Sequence, residues 1–229
     1  MENIYSMKFA EHIKTANNSL TTINLRNMKT ILILLLLAFS VVAKSQTAID
    51  YFLKGNSKQI VEDYRGAIID YNKAIELDPK GSFAYNNRGN AKAKLKDYRG
   101  ALEDYNKAIE IDPNSKNSAY FARGNAKFFL EDYRGAIIDF SKAIELNSLN
   151  SLDAYYNRGN AKSFLKDFRG AIEDFSKAIL INSKDGRAYI CRGLAKINLG
   201  QKDGGCLDLS KAGELGSKEA YEFIQNYCQ

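Results

Sequence analysis

An internal repeat constrains the fold of this chain more than any other feature. The phrase Asp-(Tyr/Phe)-Arg-Gly occurs four times, at 63–66, 97–100, 132–135 and 167–170. The intervals between these copies are 34, 35 and 35 residues. A second phrase, Arg-Gly-Asn-Ala-Lys, occurs three times at the same period, at 88–92, 123–127 and 158–162. A constant period of this length indicates one supersecondary unit that stacks on copies of itself, because a single unit cannot bury its own apolar face.

The period divides the chain into five repeats: 48–81, 82–116, 117–151, 152–185 and 186 to about 216. We count positions from the first residue of each repeat. Position 4 is always Tyr, position 8 is always Gly and position 27 is always Ala. Position 20 is Ala and position 24 is aromatic in the first four repeats, and both prolines of the chain, Pro79 and Pro113, occupy position 32. The apolar positions recur at helical spacing, so each repeat is predicted to contain two helices.

The spacing of small residues supports this interpretation. Gly or Ala at positions 8, 20 and 27 lets two helices approach closely, while the aromatic side chains at positions 4 and 24 fill the space beside them. Aspartate at position 16 is well placed to cap the second helix. Residues 217–229 read as one further first helix, which would cover the end of the array.

The pattern resembles the tetratricopeptide repeat, which has a large aromatic residue at position 4, Gly at 8, Ala at 20, an aromatic residue at 24, Ala at 27 and Pro at 32. The resemblance covers residues 48 to about 216. It implies an all-α fold, a right-handed superhelical solenoid of five helix-turn-helix units with a C-terminal capping helix. It also implies a concave groove that binds peptides.

Composition argues against several classes of function. The only histidine is His12, which lies upstream of the repeats, so the array lacks the commonest general base and metal ligand. Residues 46–229 carry 28 basic and 25 acidic side chains, a mixed surface rather than the basic stripe of a nucleic-acid-binding protein. No catalytic constellation interrupts the repeats. We therefore expect no enzyme activity, no cofactor, no metal and no nucleic-acid partner.

The residues before the array have the form of a secretory signal. Lys29 precedes an apolar run from Ile31 to Ala43, and small residues, Ala43 and Ser45, precede Gln46. The run is shorter than the ~20 residues that span a bilayer comfortably. Residues 28–45 are thus predicted to be a signal peptide, with an uncleaved anchor through 31–43 as the alternative. Residues 1–27 are then either an extension of the gene model or a disordered segment.

Two positions depart from the family pattern. Position 7 is Lys54 and then arginine, and position 11 is always lysine, where the family usually has Leu and Tyr. Because these side chains fall within the packed face of the first helix, each cation must be paired or must reach solvent. We expect a ladder of ion pairs with the aspartate at position 23 that fixes the stacking of the repeats, and the alternative is a basic stripe for an acidic ligand. The predicted ladder consists of Arg88, Arg123, Arg158 and Arg192 with Asp104, Asp139, Asp174 and Asp208.

In the tetratricopeptide repeat family the other face of the first helix lines the groove, so the resemblance implies that this face is the binding surface. Position 9 is asparagine in four repeats, and its amide can bond an extended peptide backbone whatever the side chains of that peptide. The alternative is that these asparagines help to close the neighbouring turn or bond the adjacent helix. Aromatic residues accompany them, some as apolar anchors. The predicted groove residues are Asn56, Asn90, Asn125, Asn160, Phe52, Phe121, Tyr156 and Phe128.

Basic residues are sparse at the groove positions, where only Lys94 and Arg187 occur, so an extended and mostly uncharged peptide is expected. Cys206 and Cys228 lie on the last repeat and the terminal helix, where they form either a disulfide or two buried thiols. Cys191 has no assigned role.

These observations predict a non-enzymatic scaffold that binds a protein or peptide and is exported to the periplasm or secreted. Attachment to the inner membrane is expected only if the signal segment stays uncleaved. A structural scaffold that associates with itself and binds no peptide is the alternative function.

Overall fold

The computed structural model describes residues 2–113, 119–146 and 151–229, with side chains described from residue 28 onward apart from 41, 42 and 44. These residues form eleven helices and no strand. The helices are α1 (Glu2–Ile60), α2 (Tyr64–Leu77), α3 (Ser82–Lys94), α4 (Tyr98–Ile111), α5 (Ala119–Phe129), α6 (Tyr133–Glu145), α7 (Ser151–Phe164), α8 (Phe168–Ile181), α9 (Gly186–Asn198), α10 (Lys202–Glu214) and α11 (Lys218–Tyr227).

The helices stack in chain order. Each helix packs against the next one along the chain, and α1, α3, α5 and α7 each also touch the first helix of the following repeat. Such contacts join only neighbouring units, which is the defining property of a solenoid. The predicted all-α array of helix-turn-helix units with a terminal helix is confirmed. The predicted boundary between the second and third repeats, at residue 116, lies outside the described residues.

The core is built from the repeated small and aromatic positions. The position 24 rings of Tyr71, Tyr105, Phe140 and Phe175 are at most 1 % exposed. Each ring packs between the position 20 alanine of its own repeat and the position 10 alanine of the next, so one ring closes two units at once. A Cβ atom on Gly89 would lie 2.7 Å from the ring of Tyr105, which explains why position 8 must be glycine.

The predicted caps are confirmed in the first four repeats. Asp63, Asp97, Asp132 and Asp167 each accept a hydrogen bond from the backbone N–H of the glycine three residues later, at 2.9–3.0 Å. The residue before each aspartate has a φ of 61–63°, which reverses the chain between the two helices. Repeat five uses Gly200 for this reversal, and its N-cap residue, Gln201, makes no capping bond through its side chain.

α1 extends far upstream of the array. It is one helix from Glu2 to Ile60, and thus differs from the disordered alternative for the segment that ends at residue 27. The side chains from Met28 to Ser40 are all exposed. From Met28 onward the helix is long and apolar enough to cross a membrane, a property that secretory signals near an N-terminus share.

The C-terminal end of the array is covered by α11. This helix contributes Ala220 to a buried cluster with Ile190, Leu209 and Ala212, and Phe223 and Ile224 pack against that cluster. The structure joins Cys206 on α10 to Cys228 after α11, with 5.8 Å between their Cα atoms. The predicted pair of cysteines is therefore brought together, while Cys191 is a half-buried thiol.

Candidate functional site

The concave face of the array contains a cavity of about 560 Å³ between the second and third repeats. Two of the predicted asparagines, Asn90 and Asn125, line it together with Phe121. Tyr98 and Phe129 also line the cavity, and their rings stack with centroids 4.8 Å apart. The cavity thus combines amide groups with aromatic surface.

A second cavity of about 280 Å³ continues the groove toward the fourth repeat. It is lined by Asn125, Phe128, Phe129, Asn157 and Asn160. Because Asn125 and Phe129 border both cavities, the two form one groove along the middle of the array.

The asparagine carbonyls are bonded within the protein. Asn56 Oδ1 accepts from the Tyr71 hydroxyl at 2.8 Å and from Asn87 Nδ2 at 2.9 Å. Asn125 Oδ1 accepts from Asn157 Nδ2 at 2.8 Å, across to the next repeat. For Asn56 and Asn125, the oxygen atoms therefore bond adjacent helices, as the alternative interpretation expects.

Asn90 follows the same pattern, since its Oδ1 accepts from the Tyr105 hydroxyl at 2.9 Å. The Nδ2 atoms of Asn56, Asn90 and Asn125 donate no hydrogen bond to another of the described residues. Half-buried side chains that present an N–H₂ group to a groove can still bond a backbone carbonyl of a peptide. Asn56, Asn90 and Asn125 therefore each combine a bonded oxygen atom with an amide N–H₂ group that can bind a ligand.

The aromatic residues at position 5 are more buried than the sequence analysis expected. The rings of Phe52, Phe121 and Tyr156 pack at a tilt against the position 24 ring of their own repeat, with centroids 5.8–6.0 Å apart. Since all three are half-buried, they form the floor of the concave face rather than projecting anchors. Phe52 lines a separate apolar cavity near the start of the array with Ile49.

Tyr156 is enclosed by charged and polar neighbours. The guanidinium of Arg187 lies 5.1 Å from its ring centroid, and its hydroxyl is 3.4 Å from Cys191 Sγ. Burial, with the contribution of Cys191, raises the pKa of Tyr156, while Asn160 and Arg187 oppose that shift. Asn56 and Tyr156 line neither of the two groove cavities, so the candidate site contains fewer residues than the sequence predicted.

Two aromatic side chains that the sequence analysis did not assign, Tyr98 and Tyr133, stack on phenylalanines of the first helices. Tyr133 stacks on Phe164 with ring centroids 4.8 Å apart, as Tyr98 does on Phe129. Phe128 meets both Tyr133 and Phe164 edge-on, at 5.3 and 5.4 Å. The signal was available, since position 17 is aromatic in the first four repeats, immediately after the capping aspartate.

The predicted ion pairs form, and each stays within one repeat. The guanidinium of Arg123 binds both oxygens of Asp139, at 2.6 and 2.9 Å. The same geometry joins Arg88 to Asp104, Arg158 to Asp174 and Arg192 to Asp208. The contact to the preceding repeat is made instead by the remaining nitrogen, Nη1, which donates to Asn72, Asn106, Ser141 and Ser176 in turn.

Each buried aspartate has a second cation. Lys127 Nζ lies 2.8 Å from Asp139 Oδ2, and the equivalent lysines pair with the other ladder acids at 2.7–2.9 Å. The sequence analysis identified these lysines as charges in need of a partner but did not assign the acid. In the first repeat, which has no repeat before it, Lys54 lies over Tyr51 and Asp70 pairs with Lys58.

Comparison with known proteins agrees with the geometry. Two family models described as tetratricopeptide repeat match the chain, one at residues 82–115 and 152–185 and the other at 51–80 and 118–148. No curated protein matches the chain.

Solved structures share the fold. A crystal structure of MamA protein is 30 % identical with a TM-score of 0.69, and the match covers 77 % of this chain and 95 % of that one. YrrB, described as a TPR protein with an unusual peptide-binding site, is 20 % identical over 82 % of this chain and 97 % of its own, with a TM-score of 0.71. PilW, a type IV pilus biogenesis factor, is 20 % identical over 74 % of this chain and 78 % of its own, with a TM-score of 0.65.

The four matched segments, the stacked helix pairs and the repeated core positions all describe one architecture. That architecture is a scaffold for protein–protein interaction. The chain belongs to the tetratricopeptide repeat family.

Proposed function

We propose that this scaffold binds an extended peptide segment of a partner protein in the concave groove of repeats two to four. The observation that carries the proposal is the groove itself, in which Asn90 and Asn125 present amide donors beside aromatic surface. Apolar concavities with a few polar groups are the usual form of binding sites. YrrB, which has the same fold, is described as having a peptide-binding site.

The proposal assigns no catalytic activity to this chain. The aspartates that recur at position 16 cap helices, those at position 23 pair with cations, and the glutamates at position 29 of repeats two, three and five each pair with a lysine three residues earlier. Each already has a structural role. The family and the solved relatives support a binding function rather than catalysis.

We further propose that the protein acts outside the cytoplasm, in the bacterial envelope. The exposed apolar part of α1 has the composition of a secretory signal. PilW, a pilus biogenesis factor, has the same fold. A cleaved signal would leave the array in the periplasm or secreted, and an uncleaved one would tether it to the inner membrane.

The binding proposal is tested by selecting a displayed library of random peptides on the full chain, solubilised in detergent. Binding of the selected peptides is then measured by fluorescence anisotropy for the parent chain and for variants. Asn125→Asp keeps the oxygen that accepts from Asn157 but removes the amide donor. Asn198→Ala changes an exposed asparagine outside both groove cavities and serves as the control.

We expect Asn125→Asp to weaken binding of the selected peptides about tenfold, since one or two hydrogen bonds are lost, and Asn198→Ala to leave it unchanged. Equal binding of the peptides by all three proteins would refute the proposal that the groove is the binding site. A chain that selects no peptide but sediments as an oligomer would instead support the self-associating scaffold.

A further inference from the structure

The turns that join the paired helices carry exposed apolar side chains. They occupy positions 13 and 14 of the first four repeats, where the chain passes from the first helix into the turn. The exposed residues are Ile60, Val61, Leu95, Phe129, Leu130, Phe164 and Leu165. Exposed apolar surface that recurs in successive repeats indicates an interaction surface rather than isolated exposure.

Neighbouring turns touch, so this surface is continuous. Tyr98 of repeat two stacks on Phe129 of repeat three, and Tyr133 stacks on Phe164 of repeat four, both with ring centroids 4.8 Å apart. We call the four turns, 60–65, 94–99, 129–134 and 164–169, the turn edge. Lys96 and Phe129 also line the larger groove cavity, so the turn edge borders the proposed peptide site.

The charge of the turns alternates along the turn edge. Positions 15–18 read Glu-Asp-Tyr-Arg in repeats one and three, and Lys-Asp-(Tyr/Phe)-Arg in repeats two and four. With Asp and Glu counted as −1 and Lys and Arg as +1, the four turns carry −1, +1, −1 and +1. The alternation comes from position 15 alone, which is Glu62, Lys96, Glu131 and Lys166.

These four charges are available to a partner. All four side chains are exposed, and none of them forms an ion pair with another of the described residues. Their backbone also singles them out, since each has a φ of 61–63°. Glycine adopts that conformation without strain, as Gly200 does in repeat five with a φ of 84°. Turn geometry therefore does not explain charged residues at position 15, whereas a requirement for charge at this edge does.

We infer that two copies of this chain pair antiparallel along their turn edges. A row of −1, +1, −1 and +1 that is read backwards has every sign reversed, so a two-fold axis between repeats two and three places opposite charges face to face. Lys96 then meets Glu131 of the second copy, and Glu62 meets Lys166 of the second copy. The exposed apolar side chains beside them cover one another, which gives the self-complementary interface of a two-fold dimer.

A second copy suits the turn edge better than a lipid surface does. Surfaces that bind anionic bilayers carry an excess of Lys and Arg, whereas the four turns sum to zero. Complementarity of a charge row to its own reverse favours pairing with itself. The pairing goes beyond the proposed peptide binding and is independent of it, since each copy keeps its own groove.

The test gives all four turns the same sign. Glu62→Lys/Glu131→Lys makes every turn +1, and Lys96→Glu/Lys166→Glu makes every turn −1. Both variants should fold, because glutamate and lysine each already occur in this turn conformation. The matched control is Lys80→Glu/Lys184→Glu, which reverses two exposed lysines in turns between repeats. Sedimentation velocity of the full chain in detergent measures self-association, and any contribution of α1 is common to all variants.

We expect the parent and the control to form dimers, and each charge variant to associate with itself about tenfold more weakly at low salt, with a smaller difference at high salt. An equimolar mixture of the two charge variants should form dimers like the parent, because opposite rows face each other again. Such recovery on mixing cannot come from misfolded chains.

Cross-linking of carboxylates to lysines with a carbodiimide tests the direction of pairing. We expect mass spectrometry to find Glu62 linked to Lys166, a link between copies because these turns are three repeats apart in one chain. A dimer without this link would overturn the antiparallel arrangement. A monomeric parent, or charge variants that associate like the parent, would overturn the pairing along the turn edge and leave peptide binding, measured by anisotropy, unaffected.

Discussion

At the scale of single residues, the buried aspartate at position 23 organises each repeat. Asp139 is 1 % exposed and contacts Arg123 and Lys127 at 2.6 and 2.8 Å. The Arg–Asp pairing could be predicted because both residues recur at one period. The bond from the arginine to the preceding repeat could not, because Asn72 and Ser141 look like ordinary surface residues until the stacking geometry places them opposite the guanidinium.

Loss of the buried acid is predicted to be costly. Asp139→Asn leaves two cations facing each other without a counter-charge, and we expect a loss of about 3 kcal/mol in the free energy of unfolding. The control is Glu145→Gln, which removes an exposed acid from its pair with Lys142 at 2.8 Å and should cost much less, because solvent screens this pair. Urea unfolding followed by circular dichroism measures both, and similar losses in the two variants would contradict a structural role for the ladder.

The position 24 tyrosines predict a loss of stability at alkaline pH. Burial raises the pKa of Tyr71 from 10.0 to about 12, partly offset by its contact with Asn87. The unfolded chain therefore releases this proton first as the pH rises from 10 toward 12, so stability is complete below pH 10 and falls across that interval. Tyr71→Phe should fold, since Phe140 occupies the same position in repeat three and Asn56 Oδ1 still accepts from Asn87.

We expect Tyr71→Phe to lose less stability than the parent between about pH 9 and about pH 11.5, because one shifted proton is removed from the difference between the states. Urea midpoints at the two pH values measure this. Tyr227→Phe, which changes an exposed ring, is the control. An identical decline in Tyr71→Phe and the parent would show that this buried hydroxyl does not contribute.

At the scale of helices, the sequence predicted most of what the structure contains. The capping aspartates mark the starts of α2, α4, α6 and α8, and the small residues mark the contacts between paired helices. These features are local or strictly periodic, so one chain reveals them. The upstream extent of α1 was not predicted, because no repeated position lies there to indicate a helix.

Close packing at position 8 is open to a direct test. Gly124→Ala should improve helix propensity by about 1 kcal/mol, yet its Cβ would lie 2.7 Å from Phe140 Cε1 in a fully packed contact. We expect a net loss of about 1–3 kcal/mol, since overpacking outweighs propensity. Gly204→Ala is the matched control, where the new Cβ would only touch Lys196 at 3.7 Å. A higher midpoint of thermal unfolding for Gly124→Ala than for the parent would rule out the clash.

The terminal helix is predicted to depend on its disulfide. α11 packs chiefly against α10, and Cys206 and Cys228 close a loop with a sequence separation of 22. The chain-entropy relation gives about 3 kcal/mol for a loop of this size. Cys206→Ser/Cys228→Ser should lose about that much stability and should exchange the amide protons of α11 faster, while exchange in α4 stays slow. Cys191→Ser is the control for loss of a cysteine outside the disulfide. Unchanged amide exchange of α11 in the double variant would contradict the prediction that the disulfide holds this helix in place.

At the scale of the whole molecule, the sequence predicted the array better than it predicted the groove. Helical spacing together with the resemblance to the family identified the face that lines the groove, and its cavities are indeed lined by Asn90, Asn125, Asn160, Phe121 and Phe128. Which asparagine atoms stay free depends on contacts between repeats, such as the one from Asn157 to Asn125. Lys96 reaches the groove through a turn residue with positive φ, and helical periodicity carries no information about that direction.

The fate of α1 decides where the array works, and it yields a last prediction. The small residues Ala43 and Ser45 precede Gln46, so cleavage there would leave the first helix of repeat one, up to Ile60, intact. We expect a protein expressed with its own leader in a Gram-negative host to appear in the periplasmic fraction or the medium with Gln46 as its first residue, as determined by mass spectrometry. Ala43→Asp places a charge at the small residue three positions before the cut and should retain the leader in the membrane fraction, whereas Thr47→Ser, just beyond the cut, should be processed like the parent. A parent chain that stays in the membrane fraction with residues 31–43 attached would instead establish the anchor, and it would hold the first repeat directly against the bilayer, because α1 continues without a break from the apolar run into the array.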